Sequence, residues 1–311
     1  MTSKTDDKLK TALDESRLLI LGAQVLFGFA FQGAFQNLFK EVAPSGQIIQ
    51  CAALAMLLLS IGCLIAPSLH HQIASGGDSR SDSLQVATVF AGMSLLPITV
   101  GLGAAVYVVF DRMFGNTIAG ATAGTLTLIA LGLLYGLGAV LRRREENMPA
   151  ETLPTPLKTK IEQLLTEARV MIPGGQALLG FQFIATLTKA FSELPQTIQY
   201  LHALGLIAVA LAVMLLMTPA ALHRLAYRGE DDSQFFRIGS RILIAAALPL
   251  SIGISADVTV VFYKVFQSAK AGGAAGILSF SFLIGLWYIF PLLCRPSLGN
   301  RPLAVGDRWH G

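Results

Sequence analysis

Asp257 carries the strongest chemical suggestion in this sequence. It is the one acid that falls well inside a long apolar segment, where a carboxylate is costly unless it is paired or used. Ser251 precedes it by about 9 Å of helical rise and Lys264 follows it by about 10 Å, which puts Asp257 in the outer half of the segment. A helix that ended near Asp257 would instead make it an ordinary loop-facing acid, and both alternatives stand at this point. The same segment holds Pro249, Ser251, Gly253 and Ser255, and an earlier segment answers with Pro97, Thr99, Gly101 and Gly103. Proline removes a backbone hydrogen bond and glycine loosens the next turn, so a kink or unwinding is expected in both. Paired interruptions of that kind point to a midplane site lined by Thr99, Ser251, Ser255 and Asp257. The competing explanation is that Pro and Gly are common in ordinary membrane helices.

Two further sets could do chemistry. Gln24 and Gln176 each precede a glycine (Gly28, Gly180) by four residues, which puts amide and small residue on one helical face, and Gln32 extends the first of these stripes. An amide in hydrocarbon needs a partner, so these faces meet either another helix or a wet cavity. Glu15, Arg17 and His71 recur as Glu167, Arg169 and His223, at what reads as the cytoplasmic end of the helices. A Glu–His pair at a membrane mouth can pass protons, and antiparallel neighbours would set Glu15 beside His71 and Glu167 beside His223. Helix-end anchoring by the macrodipole accounts for the same residues without function. There is no His-Glu-x-x-His, no Cys-x-x-Cys, no Walker-type loop and no nucleophile elbow. No catalytic residue, metal site or cofactor is therefore expected, and an enzyme is the weakest class.

These residues recur because the chain does. An offset of 152 positions carries Glu15, Gln24, Phe29, Pro67, His71, Pro97, Gly101 and Phe110 onto Glu167, Gln176, Phe181, Pro219, His223, Pro249, Gly253 and Phe262. It also lays Gly120 and Gly124 on Gly272 and Gly276, two Gly-x-x-x-Gly pairs that suit close helix packing. A constant offset over such a length indicates tandem duplication. The expected organisation is a first repeat over 1–144, a charged Pro-containing linker over 145–156, a second repeat over 157–295 and a tail over 296–311. Lys8–Arg17 and Leu157–Arg169 read as short amphipathic helices lying in the membrane interface.

Hydrophobic residues make up 53% of the chain and charged ones 14%, with a mean hydropathy of +0.62. A soluble domain carries roughly 25% charged residues, and a membrane span needs about 20 apolar ones. The expectation is an all-α polytopic membrane protein with eight spans, four per repeat. They are Leu18–Phe39, Ile48–Leu69, Val86–Phe110, Ile118–Leu141, Val170–Phe191, Ile198–Leu222, Ile238–Phe262 and Gly273–Leu293. Lys and Arg gather on one side of such a topology, which puts both termini in the cytoplasm of a bacterial inner membrane and both repeats in one orientation. That asymmetry explains the formal charge of +4 without nucleic acid. The partners expected are the lipid bilayer and a small ion or solute, with a homo-oligomer open. Cys51 and Cys63 are about 18 Å apart by rise, too far to bridge, and with Cys294 are expected as free buried thiols.

The second half resembles a bacterial family of four-span membrane proteins known as domain of unknown function 6328. Glu167-Ala168-Arg169-Val170, Pro173-Gly174-Gly175-Gln176-Ala177-Leu178, Phe181, Pro219, His223-Arg224, Trp287 and Pro291 carry the resemblance. The first half departs from it, with Leu21, Gln72, Tyr135 and Ala139 at the places of Pro173, Arg224, Trp287 and Pro291. Some relatives bear an automatic label as sodium:proton antiporters. The reading that follows is an ion- or proton-coupled transporter of a small solute, and its rival is a non-transporting scaffold or accessory subunit.

Overall fold

The computed structural model describes residues 4–78, 81–136, 155–228 and 230–295, with side chains from Leu19 onward in these ranges except at 81, 82 and 136. Its elements are all helical among the described residues. The first copy comprises α1 (Lys4–Gly33), a 3-10 turn (Asn37–Glu41), α2 (Pro44–Ile73), α3 (Ser81–Phe114) and α4 (Asn116–Leu131), which runs into a π turn (Gly132–Gly136). The second comprises α5 (Leu157–Thr186), the one-turn α6 (Lys189–Ser192), α7 (Gln196–Leu225), α8 (Ser233–Phe266) and α9 (Ala269–Ile284). A π turn (Gly285–Ile289) and α10 (Phe290–Leu293) complete it. The sequence linker 145–154 and the tail from Pro296 lie outside the described residues.

Local chemistry sets the boundaries. Pro44 opens α2 at its first turn, where no N–H is needed. Asp232 caps α8 by accepting from the backbone N–H groups of Gln234 (2.6 Å) and Phe235 (2.9 Å). The reversal between the third and fourth helices needs a left-handed residue, supplied by Gly115 (φ 80°) in the first copy. Gln267 (φ 49°) takes the matching place in the second copy.

Six helical stretches are long and apolar enough to cross a membrane: Pro44–Ile73, Ser83–Phe114, Asn116–Tyr135, Gln196–Leu225, Ser233–Phe266 and Ala269–Leu293. Eight spans were expected, and the first helix of each copy accounts for the difference. The described apolar part of α1 is Leu19–Gly33, shorter than a span. Phe39 and Phe191 were counted into the first spans, yet they sit in the separate 3-10 turn and in α6. In α5 the charged stretch Lys158–Arg169 and the apolar stretch after it form one unbroken helix through Pro173. The expected interfacial helix at Leu157–Arg169 is thus the first half of α5. Its apolar side is covered by protein, with Ile161 and Leu164 buried and Leu164 against Gly239 of α8.

The third helices also differ from expectation. α3 and α8 each run 34 residues without a break, Pro97 and Pro249 included. Gly101 and Gly253 mark close approaches, where a Cβ would strike Leu57 of α2 and Val209 of α7 respectively. These are matching positions in the two copies. α2 and α8 are the most enclosed of the span-length helices, with 67% and 72% of their apolar windows buried, against 11% for the α4 window. One hydrophobic core runs through both copies.

The Gly-x-x-x-Gly pairs serve only one copy. Gly272 and Gly276 pack on α8 at Thr259, Tyr263 and Ser255, whereas Gly120 and Gly124 have open space where a Cβ would go. In the first copy the close approach is made by Gly103 of α3 against Ala123 and Thr127, and Ser255 stands at that place in the second. The small residue has moved to the facing helix, so α4 presents Ala119 and Ala123 instead. Gly276→Ala should overpack the α8–α9 contact and cost about 1–3 kcal/mol, lowering the unfolding temperature in detergent. Gly124→Ala should leave it unchanged or raise it, since alanine favours helix by about 1 kcal/mol. Equal effects of the two substitutions would contradict this assignment.

Candidate functional site

Two clusters of buried ionisable and amide side chains stand out in the bundle. The first lies where α2 ends and α5 begins. Glu167, 1% exposed, accepts from His71 Nδ1 at 2.7 Å through Oε1 and from Gln72 Nε2 at 2.6 Å through Oε2. Ser240 of α8 donates to Gln72 Oε1 at 2.7 Å. Three helices from two copies therefore share one hydrogen-bonded chain. Around it, Lys160 pairs with Asp78 at 2.7 Å, Arg295 Nε donates to the Ile73 carbonyl at 2.7 Å, and Trp287 Nε1 donates to the Gly62 carbonyl at 2.9 Å. Each of these contacts joins one copy to the other.

The second cluster lies toward the far end of the bundle. Asp257 is fully buried, and Gln182 of α5 donates to its Oδ2 at 2.8 Å. His202 of α7 turns Nδ1 toward Asp257 Oδ1 at 3.6 Å, within ion-pair range and beyond a hydrogen bond. The other ring nitrogen, Nε2, lies 3.2 Å from the Gln182 carbonyl. Phe31 of α1 stacks on the imidazole at 5.7 Å and Phe191 meets it edge-on at 5.0 Å. Farther out, Lys264 donates to the Ala34 carbonyl and sits 5.1 Å from the rings of Phe35 and Phe39. Lys40 pairs with Glu193 across the copies, and that hydrogen bond and charge hold the Glu193 carboxyl below its ordinary range.

The sequence-derived site residues are dispersed. Asp257 is buried and paired, but Thr99 and Ser251 spend their hydroxyls on the carbonyls of Leu95 and Ala247 in their own helices. Such bonds four residues back satisfy the hydroxyl's hydrogen within its own helix. Ser255 is buried with its hydroxyl unpartnered among the described residues. Gln24 is buried in the space left by Gly174, with neither amide atom bonded among the described residues, whereas its counterpart Gln176 is exposed. Glu167 meets His71 of the other copy; His223 instead packs on Phe235 at 4.8 Å, and Arg169 is exposed. The side chains of Glu15 and Arg17 lie outside the described residues. Cys51 and Cys63 are buried free thiols and Cys294 is an exposed one. Among the described residues no three His, Cys, Asp or Glu side chains group as a metal site would require.

His202 and Gln182 were not anticipated. The signal for His202 was an ionisable residue in the second turn of an apolar helix, opposite Gln50 under the repeat offset. Gln182 has alanine (Ala30) as its counterpart, so the repeat itself gave no pointer to it.

Fold and site together define a protein that is all helical among the described residues, with six helices apolar enough to span a membrane and two buried carboxylate–imidazole pairs. The chain belongs to the family of unknown function DUF6328, whose model matches residues 1–138 and again 150–291, so the two halves are tandem copies of one family unit. No curated protein and no solved structure matches the chain.

Removing one hydrogen-bond partner of a buried polar group costs about 1–3 kcal/mol. His71→Ala should therefore lower the unfolding temperature far more than His223→Ala, since His223 has no carboxylate partner among the described residues. Thermal denaturation of the two purified variants in detergent measures this, and a larger loss for His223→Ala would contradict the cross-copy pairing.

Proposed function

We propose that this chain is a multi-pass protein of a bacterial inner membrane that couples proton movement to the transport of a small ion or solute. One observation carries the reading: two carboxylate–imidazole pairs, Glu167–His71 and Asp257–His202, all but withdrawn from solvent near opposite ends of an apolar bundle. Ionisable groups at such positions are costly in hydrocarbon and suit proton relays. The two copies enter the bilayer from the same side, with both termini cytoplasmic. The lateral contact of α1 with α5 supports this, Gln24 lying beside Gly174 and Phe29 4.8 Å from Phe181. The gathering of Lys160, Arg237, Arg241 and Arg295 toward the end that holds Glu167 supports it as well. The two first helices, α1 and α5, cross beside the six with span-length apolar stretches, their charged halves extending past the bilayer.

The second reading is a membrane scaffold or accessory subunit without transport. Unbroken α3 and α8, and the hydroxyls of Thr99 and Ser251 turned onto their own helices, favour it. Proteoliposomes with a trapped pH-sensitive dye separate the two. Under an imposed proton gradient, wild type should collapse the gradient when a transported ion or metabolite is supplied. Asp257→Asn and Glu167→Gln should each slow this by at least about tenfold, equivalent to about 1.4 kcal/mol on the limiting barrier. Absence of wild-type flux across a panel of ions and metabolites would select the scaffold, and undiminished flux in both variants would remove these pairs from the path.

A further inference from the structure

We propose that His202 and Asp257 form a binding site for one exchangeable proton, held between Nδ1 and Oδ1, and that the conformation described here is the proton-loaded one. The inference rests on the proton-coupled reading of this pair and specifies what it binds. The Gln182 carbonyl can only accept, so His202 Nε2, 3.2 Å away, must carry its hydrogen. His202 Nδ1 then faces Asp257 Oδ1 at 3.6 Å, while Asp257 Oδ2 is occupied by the Gln182 amide. A neutral imidazole with its hydrogen on Nε2 would oppose a bare lone pair to a bare carboxylate oxygen, in a site with no exposed surface. Imidazolium beside carboxylate and imidazole beside carboxylic acid both remove that conflict, and both hold the same single extra proton. Releasing it to water leaves an anion facing a lone pair, which drives α7 and α8 apart at this level.

The surroundings select a proton over a metal cation. Gln182 comes from α5, Phe31 from α1 and Phe191 from α6, and none of them is charged. Outward along α8 the next charge is Lys264, about 10 Å away by rise, and its ammonium goes to the Ala34 carbonyl. Lys40 and Glu193 pair with each other at the exposed surface. Among the described residues the unpartnered side-chain atoms of the trio are Asp257 Oδ1, Gln182 Oε1 and His202 Nδ1, too few for a hard cation, which takes six or more oxygens.

The other copy indicates that this chemistry is an addition to the packing. At the matching positions the first copy has Gln50, Ala30 and Ala105 in place of His202, Gln182 and Asp257. Gln50 Nε2 donates to the Ala30 carbonyl at 2.6 Å, the same side-chain-to-backbone bond that His202 makes to Gln182. An amide and two alanines therefore suffice to join these helices, and the second copy replaces them with a titrating pair.

That comparison supplies the test. The triple variant Gln182→Ala, His202→Gln, Asp257→Ala rebuilds the first copy's trio in the second and should fold with an unfolding temperature close to wild type. Potentiometric titration of full-length protein in detergent from neutral to alkaline pH should then show wild type releasing about one proton per chain more than the triple variant, the linkage expected of one site. Nitrogen NMR of labelled histidine, read against Asp257→Asn, should report His202 protonated at Nε2, with Nδ1 either protonated or hydrogen-bonded to a carboxylic acid. Equal proton release by wild type and the triple variant would overturn the proposal, as would a neutral imidazole beside an ionised Asp257 throughout the range. Should the triple variant fail to fold, the NMR of wild type and Asp257→Asn decides alone. None of these readouts needs transport, so a chain without flux can still hold the proton, and a transporting chain can fail to.

Discussion

Glu167 lies buried where the two copies meet, and its hydrogen-bond donors, His71 and Gln72, both come from the first copy. A carboxylate removed from water must be compensated by charge or by hydrogen bonds, or its helix does not pack. That requirement fixes how α5 is rotated against α2 and brings Ser240 of α8 onto Gln72. It also explains a departure in the first copy. The family-like residue at the place of Gln72 is Arg224 in the second copy, where it is exposed. At position 72, buried to 3% exposure, glutamine both donates to Glu167 and accepts from Ser240, whereas an arginine has no acceptor for the Ser240 hydroxyl.

Other differences between the copies follow from the same seam. Tyr135 OH donates to the Gly92 carbonyl at 2.6 Å, and Tyr288 OH makes the corresponding bond to Ile244, also at 2.6 Å. The donor has moved one residue along, which frees Trp287, at the position of Tyr135, to reach the Gly62 carbonyl of the other copy. Likewise Arg112 pairs with Glu41 within the first copy at 2.5 Å, while its counterpart Lys264 crosses to Ala34 and the counterpart of Glu41, Glu193, is taken by Lys40. The duplicated units are thus no longer equivalent. One has kept self-contained contacts and the other has turned several of them outward to hold its neighbour.

The site was legible where a single residue broke a pattern. Asp257 stood out because an acid interrupts an apolar run, and its burial follows from that position. His202 has glutamine (Gln50) as its counterpart, so the repeat does not mark it as ionisable, and the symmetry that marks Gln176 is not respected by its exposure. The expected pairing of Glu167 with His223 assumed that consecutive antiparallel helices of one copy bring their ends together. The structure gives Glu167 to His71, whose position in its own copy is the same.

From residue order alone came the duplication, the helical class and the presence of an acid in an apolar run, with eight spans expected where six helical stretches reach span length. All of these depend on composition along one strand of chain, where hydropathy and spacing act locally. Tertiary structure decided which copy supplies each partner, that the third helices stay continuous through Pro97 and Pro249, and that His202 and Gln182 converge on Asp257. Those outcomes turn on the rotation of each helix about its own axis. A few tens of degrees there exchange a buried face for an exposed one, and the contacts that set the angle come from residues distant in sequence.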